Sequence, residues 1–430
     1  MKIAIKTLGC KVNSFESEAI LQIFIKNGYI QVDVDQFADV YVINTCTVTN
    51  NGDRKSRQAI RKCIKQNKDA IVCVVGCYAQ LASKEIMQIP GVDIILGTKQ
   101  REQLYDLVEE YKATQKPINK VSNIIKETNF EQLTIDDYKT QTRGFIKIQE
   151  GCNKFCSYCI IPYARGLMRS QDKNIILQQI KNLVSNGIKE VVLTGIHTGG
   201  YGEDLEDYTF YDLLKEINLI EDLYRVRISS IEFNQLTDEV IELINNSNKF
   251  ARHLHIPIQS GSNSILKRMK REYTLEQYKA KIDQIRQLMP DISITTDLIV
   301  GFPEETNEEH LETKNTLESI KFNEIHIFPY SQREGTPAAK LKQVDDRIKK
   351  ARIKEITALN DKFAKEYALK FKNKTLEIIV ESKTKDNKLV GHSSNYLKVV
   401  FDGDDNQLKQ VVKVKVNKSD YPINNGVIQA

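Results

Sequence analysis

Residues 144–159 read GFIKIQEGCNKFCSYC, a short run alternating apolar and polar, a glycine turn, then cysteines at 152, 156 and 159. Alternation with period two marks GFIKIQ as a strand, and the cysteine loop begins where that strand stops. Downstream the same unit returns. EVVLT, RVRISSI, RHLHIPI, DISITTDLIV and EIHIFPY are strand-like, and helical stretches such as NIILQQIKNLVSNG and TLEQYKAKIDQIRQLM separate them. Strands alternating with helices imply a parallel sheet, and six such units predict a partial (βα)6 barrel rather than a closed eight-stranded one. Chemistry in barrels of this kind sits at the carboxyl ends of the strands.

Upstream, apolar runs at 2–8, 40–44, 70–75 and 92–96 are each followed by a turn and a stretch of helical period, predicting an N-terminal parallel α/β sheet domain over 1–112. Residues 113–142 lack a period and are expected to form a linker, with the second domain over 143–344. A charged helix over 345–369 then connects to 370–430, where TLEIIVES, LVGHSSNYLKVVF and VVKVKVNK predict a small C-terminal β-barrel of the nucleic-acid-binding kind. The fold class is therefore a multidomain α/β protein.

Composition narrows the function classes. A 430-residue chain with 41% hydrophobic and 28% charged residues is ordinary globular material, long enough for two or three cores, and no apolar run suits a membrane span. The opening MKIAIKTLGC alternates like a strand and lacks the apolar core of a signal peptide, so a cytoplasmic protein is expected. The net charge of +5 says little by itself, but 11 Lys against 7 acids fall between 370 and the end. All eight cysteines lie in the first 159 residues. In a reducing compartment such clustering favours metal or redox chemistry over disulfides.

Cys152, Cys156 and Cys159 offer three thiolates with no fourth Cys or His close by. Structural zinc normally takes four protein ligands, whereas three thiolates suit a 4Fe-4S cluster with one iron open to a small molecule. A structural zinc loop, or three buried cysteines, is the competing reading. Phe155 and Tyr158 are placed to shield a cluster from water. Cys10, Cys46 and Cys77 form a second triplet, each just past a strand of the first domain, in TLGCKVN, INTCTVTN and VVGCYAQ. Loops at the carboxyl edge of neighbouring parallel strands converge, so these three are expected to meet and to suit a second cluster. Cys63 and Cys73 fall at apolar positions and read as core.

On a helix after Cys46, projection at 100° per residue places Arg54, Arg57, Arg61, Lys65 and Lys68 within a stripe of about 80°. An acid-free stripe of this kind either binds phosphates or is a solvated face. The histidines, among them His197, His253, His255 and His326, are given no role.

CxxxCxxC with an aromatic before the last Cys, opening a βα array, resembles the radical S-adenosylmethionine superfamily. The resemblance implies an open iron that chelates S-adenosylmethionine and a reduced cluster that cleaves it to a 5′-deoxyadenosyl radical. It also implies cofactor contacts from glycine-rich or strand-end segments, here Gly199 and Gly200 in GIHTGGYG, Gln259 in IPIQSGS, Gly301 in GFPEET and Tyr330 in FPYS. End to end, the chain resembles the methylthiotransferases, which join a three-cysteine domain, a radical domain and an RNA-binding TRAM β-barrel. TLGCKVN, NTCTVTNNGDRKSRQ and VGCYAQ look most like the branch that methylthiolates N6-threonylcarbamoyladenosine at position 37 of tRNA. That implies two 4Fe-4S clusters, S-adenosylmethionine, a tRNA anticodon loop as partner and an electron-donor protein. A branch acting on isopentenyladenosine in tRNA or on a ribosomal protein, and a non-catalytic RNA-binding protein, are the alternatives. Oligomeric state is not written in the sequence; a monomer is the working expectation.

Overall fold

The computed structural model describes residues 1–135, 138 and 142–429. The first domain comprises β1 (Lys2–Thr7), α1 (Lys11–Lys26), β2 (Ile30–Gln31), β3 (Val40–Thr45), α2 (Asn50–Gln66), β4 (Ile71–Gly76), α3 (Cys77–Met87), β5 (Ile94–Ile95), α4 (Leu104–Thr114) and β6 (Ile118–Asn119). The strands form one parallel sheet in the order β2-β1-β3-β4-β5-β6. Side chains alternate across it: Ile3, Val40, Val42, Cys73 and Val75 pack on one face with α1 and α4, and Ala4, Tyr41, Ile43, Val72 and Val74 on the other with α2 and α3. Cys63 and Cys73 are buried in these cores, as their apolar settings predict.

β6 lies inside the stretch expected to be a linker. It pairs with β5, and beyond it Leu133, Ile135 and Tyr138 bury into the core of the second domain. Two residues of strand carry no period, so this stretch reads as structureless although it is held at both ends. The expectation for 136, 137 and 139–141 lies outside the described residues.

The second domain contains β7 (Arg143–Glu150), α5 (Ile161–Arg165), β8 (Arg169–Ser170), α6 (Lys173–Ser185), β9 (Glu190–Gly195), α7 (Phe210–Asn218), β10 (Arg225–Ile228), α8 (Asp238–Asn246), β11 (His253–His255), α9 (Asn263–Arg268), α10 (Leu275–Leu288), β12 (Ser293–Val300), α11 (Asn307–Ile320) and β13 (Glu324–Pro329). Six of the strands are the six expected, running parallel in the order β7-β9-β10 and β11-β12-β13, with a single bridge from Val226 to Phe250 joining the two groups. β8 adds an antiparallel edge beside β7. The outer faces of the strands bury against the helices in one large apolar core.

α1 has apolar residues on nearly every side because both domains claim it. Ile20, Leu21 and Phe24 belong to the sheet's core, and Phe15 and Ala19 to the barrel's. Beside Phe15 this junction holds a buried ionic network. Glu16, Glu131 and Glu150 face Arg101, Lys147 and Arg165, with every side chain at most 2% exposed. Three carboxylates against three cations leave no net charge, which is what lets the group stay dry.

α12 (Asp346–Leu369) leads to a closed barrel of β14 (Thr375–Lys383), β15 (Leu389–Ser393), β16 (Lys398–Phe401), β17 (Val411–Asp420) and β18 (Ile423–Ile428). LVGHSSNYLKVVF is thus two strands joined by a turn rather than one run. β18, in INNGVI, closes the ring although its sequence carries no alternation. The turn docks on the second domain: the Tyr396 ring stacks 4.6 Å from His253, and Arg227 lies 4.7 Å over it. No helix among the described residues is long and apolar enough to cross a membrane.

Candidate functional site

Cys10 caps α1, Cys46 follows the last residue of β3 and Cys77 opens α3. Because β1, β3 and β4 are adjacent and Thr45 is paired with Gly76, the three loops leave the same edge of the sheet. Gly9 makes the approach possible. Its φ is +106°, and a Cβ there would lie 2.9 Å from Cys46 Cβ. Asn13 ties the loops together, donating from Nδ2 to the carbonyls of Leu8 at 2.7 Å and Thr45 at 3.0 Å and accepting the Cys10 S–H at 3.6 Å. Arg165 reaches in from the second domain and donates from Nε to Cys77 Sγ at 3.0 Å. Burial pushes the Cys77 thiol up to about 12 and raises Cys46 as well, so thiolates here require a compensating cation.

The other triplet lies on the loop after β7. The Cys152 amide donates to the Gly166 carbonyl at 3.1 Å and the Cys159 amide to that of Cys156 at 3.0 Å. Ser157 anchors the middle of the loop through its amide to Met269 O at 3.1 Å and its hydroxyl to Arg268 O at 2.7 Å. Burial raises Cys152 to about 11 and Cys159 to about 12. Arg271 Nη1 stands 3.6 Å from Cys156 Sγ and 2.8 Å from Glu232, while its buried Nη2 has no partner. A free cationic N–H beside three unbridged cysteines fits an anionic cluster with thiolate ligands. Tyr158 packs against the buried pair Phe302 and Tyr330, whereas Phe155 is exposed with its ring edge-on to Tyr163. Only the first of these two aromatics covers the loop from within.

A cavity of about 230 Å³ is lined by Tyr158, Cys159, Gln259 and Tyr330 of the second domain together with Val48 and Thr49, from the loop after Cys46. The suggested cofactor residues Gln259 and Tyr330 therefore stand together beside Cys159. Gly199 and Gly200 form a buried turn against Gln235 and His197, and Gly301 packs on Lys349; none of the three lines this cavity. Asp297 does, and sequence reasoning missed it. The signal was available in SITTDLIV, where Asp297 is the one charged residue of the strand.

Asp297, His255 and His326 bring ligand atoms within 4.8 Å of one another, which raises a cation site as a question. Hydrogen-bond accounting answers it. The single Thr295 proton lies between His253 Nε2 at 3.0 Å and His255 Nδ1 at 2.9 Å. His253 Nδ1 is buried without a partner, so protonating Nε2 instead avoids a stranded donor. Thr295 then donates to His255 Nδ1, and His255 Nε2 lies 3.2 Å from Asp297 Oδ1, an ion-pair distance. With the proton on Nε2, His255 has no nitrogen lone pair left for a metal.

The basic stripe occupies the exposed side of α2 with Arg54, Arg61 and Lys65 in solvent. Arg57 is half-buried, donating to Tyr78 OH at 2.9 Å, and Lys68 lies beyond the helix, after its cap Asn67. Sequence reasoning also missed Arg333, which holds the loop after Cys46 to the second domain through Asp53 at 2.8 Å, Asn50 at 2.7 Å and Thr47 at 2.7 Å.

Comparisons with known proteins agree with this architecture. Residues 2–97 match the model of Uncharacterized protein family UPF0004, and residues 146–317 that of the Radical SAM superfamily. The chain is 52% identical to threonylcarbamoyladenosine tRNA methylthiotransferase MtaB of Bacillus subtilis, covering 99% of this chain and 95% of that one. It is 42% identical to the protein of the same name in Aquifex aeolicus, over 94% and 97% of the two chains. A tRNA-2-methylthio-N(6)-dimethylallyladenosine synthase of Carboxydothermus hydrogenoformans is 36% identical over 96% of each. Among solved structures, the radical S-adenosylmethionine methyltransferase TsrM of Kitasatospora setae shares the fold, with a TM-score of 0.59 at 13% identity over 79% of this chain and 76% of that one. With a three-cysteine sheet domain, a radical domain and a terminal barrel in one continuous match, the chain belongs to the radical S-adenosylmethionine methylthiotransferase family.

Proposed function

We propose that the chain converts N6-threonylcarbamoyladenosine at position 37 of tRNA to its 2-methylthio derivative, working in the cytoplasm with an electron-donor protein. The observation that carries this reading is the cavity walled by both cysteine loops, because attaching sulfur to an aromatic C–H needs an oxidant and a sulfur source at one place. Cys152, Cys156 and Cys159 would hold a cluster on which S-adenosylmethionine would supply the radical, Cys10, Cys46 and Cys77 would hold a second cluster supplying the sulfur, and another S-adenosylmethionine would supply the methyl group. The chain's own residues do the holding. Gln259 and Tyr330 shape the cofactor side of the cavity, and Asp297, with His255 Nε2 3.2 Å from it, offers a carboxylate oxygen to hydroxyl or N–H donors there. Val48 and Thr49, on the loop after Cys46, line the same cavity. Arg54, Arg61 and Lys65 lie in solvent on the helix after Cys46, placed to hold the backbone of an anticodon loop whose unpaired base is splayed inward.

Nucleoside mass spectrometry of tRNA from cells lacking the protein, with intact, Cys46→Ala or Cys159→Ala genes returned, tests the reading. 2-Methylthio-N6-threonylcarbamoyladenosine is expected with the intact gene alone. In reconstituted protein, Cys159→Ala abolishes 5′-deoxyadenosine formation and Cys46→Ala retains part of it; equal loss in both refutes separate roles. A different methylthio nucleoside moves the protein to another tRNA branch, and an unchanged nucleoside profile moves it to a protein substrate.

A further inference from the structure

Arg165 is completely buried, and all five of its N–H donors are placed. Nη1 serves Glu16 and Glu150, Nη2 serves Asn13 at 2.7 Å and Glu16 at 3.1 Å, and Nε is left for Cys77 Sγ at 3.0 Å. Its position in the chain is as telling as its contacts. It ends α5, six residues after Cys159, and the carbonyl of the next residue, Gly166, receives the Cys152 amide at 3.1 Å. Two consecutive residues thus grip one cysteine of each triplet. Glu150, which holds Nη1, is itself two residues before Cys152. No other cation donates to a sulfur of Cys10, Cys46 or Cys77 among the described residues, whereas Arg101, in the same ionic network, gives its hydrogen bonds to Glu131 and the Thr98 carbonyl and meets Glu16 as an ion pair.

We propose that Arg165 is a positioning residue for the cluster on Cys10, Cys46 and Cys77: its Nε–H fixes the Cys77 sulfur and raises that cluster's reduction potential relative to the same cluster without it. The inference rests on the reading that those three cysteines hold a cluster. A fixed positive charge and a hydrogen bond on a ligating sulfur both favour the more negatively charged, reduced state, and burial keeps water from screening either. Because Glu150 and Gly166 hold the same segment against the other cysteine loop, one short helix sets the placement of both triplets.

The test is made on full-length protein carrying Cys152→Ala, Cys156→Ala and Cys159→Ala, so that only the cluster in question reports, with iron and sulfide counted first. Absence of a cluster in this background overturns the underlying reading together with the inference. With the cluster present, Arg165→Lys is expected to move its midpoint potential to a more negative value and alter its electron paramagnetic resonance spectrum. Arg101→Lys, which disturbs the same network without touching sulfur, leaves both unchanged. An unshifted potential in Arg165→Lys with full iron content overturns the inference alone. Should Arg165→Lys fail to fold, protein with native Arg165 and ¹⁵N-labelled arginine decides: a ¹⁵N hyperfine coupling to the reduced cluster is expected, and its absence overturns the assignment.

Discussion

Glu190→Gln is the substitution whose effect the structure fixes most closely. Glu190 lies in one row with Arg143 and Arg225 across three strands, with Arg227 two residues along. Its carboxylate accepts from Arg227 Nε at 3.0 Å and Nη2 at 3.2 Å and from Arg225 Nη1 at 3.3 Å, with Arg143 at 3.8 Å. The same guanidiniums hold the C-terminal barrel, Arg225 through the His392 carbonyl at 3.3 Å and Arg227 through those of Ser394 at 3.2 Å and Ser393 at 3.3 Å. These arginines depress the Glu190 carboxyl from 4.5 to about 2. At about 1.4 kcal/mol per pK unit that shift corresponds to roughly 3 kcal/mol. Breaking a buried ion pair from one side costs about 3–5 kcal/mol, an independent figure that agrees. The depressed carboxyl stabilises the folded form fully above its ordinary pKa, and the benefit is lost as pH falls from about 4.5 toward 2. Amide hydrogen exchange over Leu389–Phe401 is the assay. At pH 7 the variant is expected to exchange on the order of 100-fold faster than the parent, with the ratio closing toward one as pH approaches 2. A ratio below about threefold at pH 7 would show that the arginines find other partners and refute the reasoning.

Other outcomes follow from separate parts of the molecule. Gly9→Ala puts a Cβ against Cys46 at a φ of +106°, so iron in reconstituted protein should fall from about eight to about four per chain with circular dichroism unchanged; full iron content would show that the loop can yield. Replacing Arg54, Arg61 and Lys65 by Gln should weaken binding of an anticodon stem-loop and lower the salt slope by about 0.7 for each phosphate no longer neutralised; an unchanged slope would make the stripe a solvated face. Tyr396→Ala removes the ring between His253 and His392 and should speed proteolysis within 370–430 without altering iron content, and an unchanged cleavage rate would count against docking through that ring.

The strands of the central barrel were legible because each sits in an apolar run bounded by helical stretches, even where, as in β11, the strand itself is only three residues. β2, β5 and β6 are two residues each, below the length at which alternation can be counted, and only the apolar context of VDIIL hinted at one of them. The six candidate ligand cysteines stood out because both triplets follow strands. Arg165 and Arg271 did not, since an arginine near a cysteine in space leaves no trace when 88 or 115 residues separate them in sequence. Asp297 fell between these cases: a lone carboxylate within a strand is visible, but its partner His255 comes from the neighbouring strand, and only the register brings them together.

The double burial of α1 also bears on how the chain is made. A domain that emerges first would ordinarily finish folding before the next is synthesised. Here Phe15 and Ala19 belong to a core completed by Ile146, Ile148, Val191 and Leu193, and Glu16 meets its partners Lys147 and Arg165 only when those residues appear. At about 5–20 residues per second, that side of the helix stays uncovered for on the order of ten seconds or more after it leaves the ribosome. During that interval the nascent N-terminal domain carries an apolar face with a carboxylate at its centre, and the charge discourages that face from burying itself against the wrong partner.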